Sequence, residues 1–171
     1  TWPRVGDLDF TVIPAQVRGR EAYPIQGGGS EPFLTYCELR GLELAMKDLV
    51  HRRELVEYCL DRLFDMATEM SSRIYRQLPG QVTLSYVAED FGSQEDLLIS
   101  PRLIREVFLP RMKRMVDLAH SAGAFVITHS DGAIRPIIPD LIAIGVDVLN
   151  PIQWRCRGMD REGFKRDFGD Q

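Results

Sequence analysis

The sequence predicts an α/β fold in which parallel strands alternate with helices, and two observations carry this prediction. Short apolar runs rich in β-branched and aromatic residues recur along the 171 residues, and amphipathic stretches of helical period separate them. Strands joined through helices in this way are parallel, with right-handed crossovers. A (β/α) barrel and a doubly wound open sheet both satisfy the pattern, and no GxGxxG motif follows a strand to support the nucleotide-binding version of the open sheet.

The first strand is predicted at residues 23–26, where a short apolar run ends in three glycines, Gly27 to Gly29. The glycines are interpreted as a flexible turn, because a phosphate-binding loop has only this weak signal in its favour. Ser30 is then predicted to be the N-cap of the next helix, with Pro32 in its first turn.

The other elements follow from the same patterns. Ser100 is a predicted N-cap, with Pro101 opening its helix, and Pro110 is expected to kink or split that helix. The remaining strands are predicted at 82–88, 124–128 and 146–149, and the helices at 32–50 (interrupted near Gly41), 53–77, 101–122, 134–144 and 160–168.

The composition is that of a globular protein, with 44% hydrophobic and 27% charged residues. The net charge of −4 argues against a nucleic-acid partner, and no run approaches the roughly 18–20 apolar residues of a membrane span. Cys37 and Cys59 lie in helical apolar patterns and are predicted to be buried free thiols, which favours a cytoplasmic location. His51 and His120 lie on predicted helices and are expected at the surface.

Polar side chains follow three of the predicted strands. In parallel α/β folds, ligands bind at the carboxyl ends of the strands, so these side chains are expected to converge on one active-site rim. They are Glu89, Asp90 and Gln94 after the second strand, His129, Ser130 and Asp131 after the third, and Asn150 and Gln153 after the fourth.

Each of these residues also has a purely structural interpretation. Asp90 could cap its loop, His129 could be a hydrogen-bonded core histidine, and Asn150 could serve a turn. The spacing of His129 and Asp131 favours function, because the two side chains could ligate one metal, or Asp131 could act as a base or anchor. Cys156 as a thiolate ligand is the less favoured interpretation.

Several of these segments together resemble the uroporphyrinogen decarboxylase superfamily, most strongly over residues 82–170. The resemblance implies a TIM-type barrel, of which residues 1–171 would be one domain: a C-terminal-side fragment with about four β/α units. Such a fragment leaves two strand edges unpaired, so self-association and poor activity are expected. The matching segments are 88–94, 98–101, 108–110, 117–120, 129–132, 138–141, 145–151 and Gln153.

The resemblance implies two activities. One branch of the superfamily uses zinc to activate a thiol for methyl transfer with a corrinoid partner, through a His-x-Cys at this strand end. His129 matches that histidine, but Asp131 replaces the cysteine. The other branch converts uroporphyrinogen to coproporphyrinogen by decarboxylation without a cofactor. Its Arg-rich N-terminal motif has no counterpart here, and Asp90 would face the pyrrole nitrogens.

Zinc-assisted methyl transfer involving a corrinoid is the favoured prediction, because His129 is present. Cofactor-free decarboxylation is the alternative, and a non-catalytic barrel that binds a small ligand is a third hypothesis that the Asp131 replacement sustains. The predicted catalytic residues are Glu89, Asp90, His129 and Asp131, with His129 and Asp131 as metal ligands. The predicted substrate-binding residues are Gln94, Ser130, Asn150 and Gln153.

Overall fold

A computed structural model describes residues 2–170 and contains one four-stranded parallel sheet. The strands are β1 (Ile25–Ser30), β2 (Val82–Val87), β3 (Phe125–His129) and β4 (Val148–Asn150). They lie in chain order, β1-β2-β3-β4, with β1 and β4 at the edges. A doubly wound sheet reverses its strand order at a switch point, whereas a barrel does not. The predicted α/β class is therefore confirmed, and the topology is that of a partial barrel.

The helices connect the strands and cover one side of the sheet. Short helical turns also occur at Val5–Asp7 and Arg135–Ile137, and a π-helical turn spans Ile104–Phe108. No helix within residues 2–170 is both long and apolar enough to cross a membrane. The α-helices are α1 (Ile13–Val17), α2 (Pro32–Arg40), α3 (Leu42–His51), α4 (Arg53–Gln77), α5 (Pro101–Leu103), α6 (Leu109–Ser121), α7 (Ile138–Ala143) and α8 (Arg161–Phe168).

Several local predictions are confirmed. The interruption near Gly41 separates α2 from α3, with Gly41 at φ 81°. The Ser100 hydroxyl accepts a 3.3 Å hydrogen bond from the Leu103 N–H at the start of α5. The helix predicted at 101–122 is split near Pro110, because the π-helical turn lies between α5 and α6. The predicted helix 134–144 is shorter than expected, because its first turn is a 3₁₀ turn and α7 begins only at Ile138.

The glycine run is not a turn, so that prediction is wrong. All three glycines lie within β1, and a Cβ on Gly29 would come within 1.6 Å of the Tyr86 carbonyl oxygen on the neighbouring strand. Gly29 also has a φ of +92°, a conformation that side chains with a Cβ rarely adopt. Gly29 therefore lets β1 approach β2 closely, and Gly28 lets it approach Tyr75 of α4.

The predicted N-cap at Ser30 is also wrong. Ser30 is the last residue of β1, and the N-cap of α2 is Glu31, whose side chain makes no capping hydrogen bond. The N–H of Phe33 is instead bound by the carboxylate of Glu89, 56 positions away in the chain. Pro32 occupies the first turn as predicted.

The two faces of the sheet differ in what covers them. The outer face, which includes Val87 and Val126, packs into a core with side chains of α4 and α6 such as Phe64 and Met112. The inner face is half-buried or exposed, and it would line the lumen of a complete barrel. Its members are Leu84, Tyr86, Phe125, Ile127, His129, Val148 and Asn150.

The cysteines and two of the histidines lie away from the inner face. Cys37 is buried and Cys59 half-buried, so complete burial is confirmed only for Cys37, although both thiols are free. Burial raises the pKa of Cys37 to about 11. His51 and His120 are exposed, as predicted.

Candidate active site

Three loops meet at the carboxyl ends of β2, β3 and β4, and we call them the rim loops: residues 88–97, 130–134 and 150–157. Backbone hydrogen bonds join them directly. The Ser93 carbonyl accepts from the Ala133 N–H at 2.7 Å, and the Gln94 carbonyl accepts from the Arg157 N–H at 3.0 Å. The loops are therefore fixed to one another rather than independently placed.

Two glycines make this close approach of the loops feasible. A Cβ on Gly92 would lie 2.3 Å from the carbonyl oxygen of Asp131, and one on Gly132 would lie 2.5 Å from that of Ser93. Gly132 also has a φ of +88°. No side chain fits at either contact, so these glycines determine how near Asp90 and Asp131 come.

A polar network crosses the rim loops. One Asp90 carboxylate oxygen accepts a 2.8 Å hydrogen bond from the Asp131 N–H. The Asp131 carboxylate accepts from the Gln153 side-chain N–H at 2.6 Å, and the Gln153 side-chain oxygen Oε1 accepts from the Gly132 N–H at 2.9 Å. The structure thus brings together three predicted site residues, Asp90, Asp131 and Gln153, from three separate strand ends.

His129 lies beside this network on the inner face. Its Nδ1 is 3.4 Å from the Asn150 side-chain oxygen, and its Nε2 is 3.8 Å from the nearer Asp131 oxygen. The side chain is 29% exposed. Both ring nitrogens have polar neighbours at long distances, so the imidazole can still exchange a proton with a bound molecule.

Tyr86 and Glu31 complete the inner face of the site, and the sequence analysis missed both. The Tyr86 hydroxyl donates a 3.0 Å hydrogen bond to Glu31, and the Tyr86 ring centroid is 6.5 Å from that of His129. Burial raises the pKa of Tyr86, and its bond to Glu31 and the charge of Asp90 raise it further. Strand alternation was the available signal, because it places Tyr86 on one face with Leu84.

Glu89 lies beneath the rim rather than on it. Its side chain is fully buried, and its two carboxylate oxygens lie 2.9 and 3.0 Å from the Phe33 nitrogen at the N-terminus of α2. Burial raises the pKa of Glu89 well above its ordinary value. Its catalytic role stays a prediction, but the carboxylate is already bound to the helix.

Ser130 and Gln94 have contacts other than the network of Asp90, Asp131 and Gln153. The buried Ser130 hydroxyl accepts a 3.0 Å hydrogen bond from the Phe91 N–H, which holds one rim loop to another. The Gln94 side chain is exposed and lines an open groove of about 620 Å³. That groove is otherwise lined by residues 152–156. Substrate binding by Ser130 and Gln94 stays a prediction.

The rim supplies two of the donors that the predicted zinc site requires. His129 and Asp131 lie close enough to bind one ion, but catalytic zinc sites use three protein ligands. Within residues 2–170, no group of three or more His, Cys, Asp and Glu side chains is arranged to hold a metal. The buried Cys156 thiol donates a 3.4 Å hydrogen bond to the side-chain oxygen Oε1 of Gln153. The described donor set does not by itself fit zinc.

Comparison with known proteins identifies one family. The family model described as uroporphyrinogen decarboxylase (URO-D) matches residues 15–163, which is most of the chain. A search of curated proteins and a search of solved structures each returned no match. The chain therefore belongs to the uroporphyrinogen decarboxylase family.

Proposed function

We propose that this member of the uroporphyrinogen decarboxylase family catalyses a decarboxylation in which the rim residues supply acid–base groups and negative charge. Family membership indicates an enzyme but does not separate decarboxylation from methyl transfer. The proposal rests on one observation: an accessible imidazole, His129, lies next to the carboxylate network of Asp90 and Asp131. That arrangement supplies a proton donor and a binding site for positive charge, without requiring a third metal ligand.

The chemistry explains why such a rim suits decarboxylation. An acetate arm on an electron-rich ring loses CO₂ readily once the ring is protonated. The C–C bonding pair then flows into the cationic ring, the former methylene carbon takes up a proton, and the ring releases the proton that it first received. The net change is R–CH₂–COO⁻ + H⁺ → R–CH₃ + CO₂. His129 would donate a proton, and the carboxylates of Asp90 and Asp131 would stabilise the cationic intermediate.

Zinc-assisted methyl transfer with a corrinoid is the second candidate. The 3.8 Å separation of His129 Nε2 and the nearer Asp131 oxygen favours it, because both atoms can approach one ion. Its further ligand would come from outside residues 2–170. Zinc, when bound, would activate a thiol of the methyl acceptor.

The test combines a metal measurement with two activity assays on one preparation. The protein is incubated anaerobically with uroporphyrinogen, or with a methylated corrinoid and a thiol acceptor, and its zinc content is measured by mass spectrometry. Release of CO₂ without bound zinc, lost in His129→Ala, supports decarboxylation. About one zinc per chain with methyl transfer, both lost in His129→Ala, would overturn the proposal in favour of the second candidate.

Two further features complete the design. His51→Ala is the matched control, because His51 is exposed on α3 and lies away from the rim. Tight binding of uroporphyrinogen without turnover of any substrate would instead support the non-catalytic role and contradict both enzymatic candidates.

A further inference from the structure

The loop after β4 and the start of α8 bring two arginines over one tryptophan at the edge of the rim. The guanidinium carbon of Arg155 lies 4.7 Å from the centroid of the Trp154 ring, and that of Arg161 lies 4.3 Å from it. Trp154 is 42% exposed. Both guanidinium groups thus lie over the ring of one partly exposed tryptophan.

These two arginines differ from two arginines of α6. Arg111 and Arg114 of α6 pair with Asp61 and Asp65 of α4, respectively. In contrast, the ion pairs found within residues 2–170 include neither Arg155 nor Arg161.

The acidic residues of the same segment do not neutralise them. Asp160 accepts a 2.7 Å hydrogen bond from the Gly163 N–H and so caps α8. Glu162 forms no ion pair with either arginine within the described residues. Stacking occupies the face of a guanidinium and leaves its in-plane N–H groups free, and these match the two oxygens of a carboxylate.

One of the two arginines, Arg155, lines a groove that reaches a residue of the rim network. The 620 Å³ groove is lined by Trp154 and Arg155 together with Gln153. Gln153 also binds the Asp131 carboxylate. A ligand in the groove would therefore have one end at the guanidinium groups and could extend its other end toward Asp131 and His129.

The charges along this path have opposite signs. Glu31, Asp90 and Asp131 lie at the rim, where they would repel an anionic group. Arg155 lines the groove, and Arg161 lies over the same Trp154 ring. Such a separation orients an anionic ligand as well as attracting it.

We propose that Arg155 and Arg161, held over Trp154, form a binding site for a carboxylate group of the substrate that does not react. The site fixes that group beside Trp154, so that the reacting part lies at His129. The position of the reacting part rests on the proposed function, but carboxylate binding at the two arginines does not.

Binding is tested without turnover, with benzene-1,3,5-tricarboxylate as the probe and tryptophan fluorescence as the readout. Trp154 is one of only two tryptophans in the chain, so Trp2→Phe makes the signal specific. Arg155→Ala with Arg161→Ala is expected to raise the dissociation constant at least tenfold and to weaken its salt dependence. Arg155→Lys, which retains the charge but not the planar fork, should show an intermediate loss.

Arg62→Ala is the matched control, because Arg62 also lies over an aromatic ring, that of Tyr58, but on α4. Its tricarboxylate affinity should equal that of the unmodified protein. Unchanged affinity in the double variant, with a normal melting temperature, would overturn the proposal. Equal affinity for inorganic phosphate would overturn the assignment to carboxylates.

Turnover gives a separate readout. If the arginines bind a non-reacting carboxylate equally in the ground and transition states, the double variant should raise KM and leave kcat unchanged. A fall in kcat alone would contradict this role. The two proposals can also fail separately. If the unmodified protein transfers methyl groups and the double variant loses tricarboxylate binding, the proposed function is refuted and the binding site is supported.

Discussion

The inner and outer faces of the sheet use neighbouring residues for different purposes. Thr128 points outward and donates a 2.7 Å hydrogen bond to the Val87 carbonyl, whereas His129 points inward and is 29% exposed. The adjacent carboxylates show the same contrast: Glu89 is fully buried against α2, and Asp90 joins the rim network. Thr128 and His129 differ because strand residues alternate between faces, whereas Glu89 and Asp90 are separated by the course of the loop after β2.

His129 also differs from the buried polar groups in how closely it is hydrogen-bonded. The buried groups of Thr128, Ser130 and Glu89 have hydrogen bonds of 2.7 to 3.0 Å. On the inner side, the His129 nitrogens have neighbours at 3.4 and 3.8 Å. Short, buried bonds stabilise a fold, whereas a catalytic group needs spare hydrogen-bonding capacity for its substrate. Outer-face variants should therefore lose stability, and inner-face variants activity.

The largest effect is expected on activity from His129→Ala. Removing a general acid lowers kcat/KM about 10²- to 10⁴-fold, or roughly 3–5 kcal/mol of activation free energy. Its free energy of unfolding should change by no more than about 0.5 kcal/mol. Decarboxylation assays and urea titrations measure the two quantities.

Thr128→Val is the paired control for that variant. It leaves the buried Val87 carbonyl without its partner, so it should cost about 1–3 kcal/mol of stability and retain activity. If both variants instead lost stability alone, the distinction between the faces would fail.

The next largest effect is expected from Gly132→Ala, which forces a Cβ to within 2.5 Å of the Ser93 carbonyl oxygen. Overpacking of this kind typically costs about 1–3 kcal/mol, and the positive φ adds about 1 kcal/mol. Gly80→Ala is the control, because Gly80 also has a positive φ, of +68°, but no atom within 4 Å of an added Cβ. Equal losses in the two variants, measured by thermal unfolding, would show that the close approach of the loops is unimportant.

Glu89 yields a prediction about pH. Its pKa in the folded state is raised above the ordinary value of 4.5, so the fold binds this proton more tightly than the unfolded chain does. The resulting stabilisation is fully present below pH 4.5 and is lost as the pH rises through the folded-state pKa. Glu89→Gln should remove that dependence while keeping an acceptor for the Phe33 N–H.

Glu89→Ala should instead leave the Phe33 N–H unbound and cost about 1–3 kcal/mol. Urea unfolding between pH 4 and 8 compares both variants with the unmodified protein. If the stability of the unmodified protein rose with pH across that range, and that of Glu89→Gln did not, the assigned direction of the pKa shift would be contradicted.

The smallest effect is expected from Asn150→Ala. Its side-chain oxygen lies 3.4 Å from His129 Nδ1, a distance typical of a weak hydrogen bond. Activity should fall only about two- to fivefold, or under about 1 kcal/mol. A loss as great as that of His129→Ala would mean that Asn150 holds the imidazole in place during the reaction.

Local patterns predicted the elements that depend on local interactions. The helix predicted at 53–77 matches α4, because its amphipathic period and the Pro79-Gly80 stop are contained in that segment. The break at Gly41 and the cap at Ser100 were predicted for the same reason. The end of the first strand and the cap at Ser30 were predicted wrongly, because the close approach of Gly29 to β2 and the bond from Glu89 to α2 join distant parts of the chain.

The sequence by itself determined the parallel α/β class, the family resemblance and the strand ends at which Asp90, His129, Asp131 and Gln153 lie. Only the tertiary structure decided which polar groups act together. In the folded protein Asp90, Asp131 and Gln153 form one network, and Tyr86 binds Glu31 on the inner face. The Glu89 carboxylate instead binds the start of α2. The physical reason is that periodicity fixes a residue's element and approximate face, whereas strand register and loop contacts fix its neighbours.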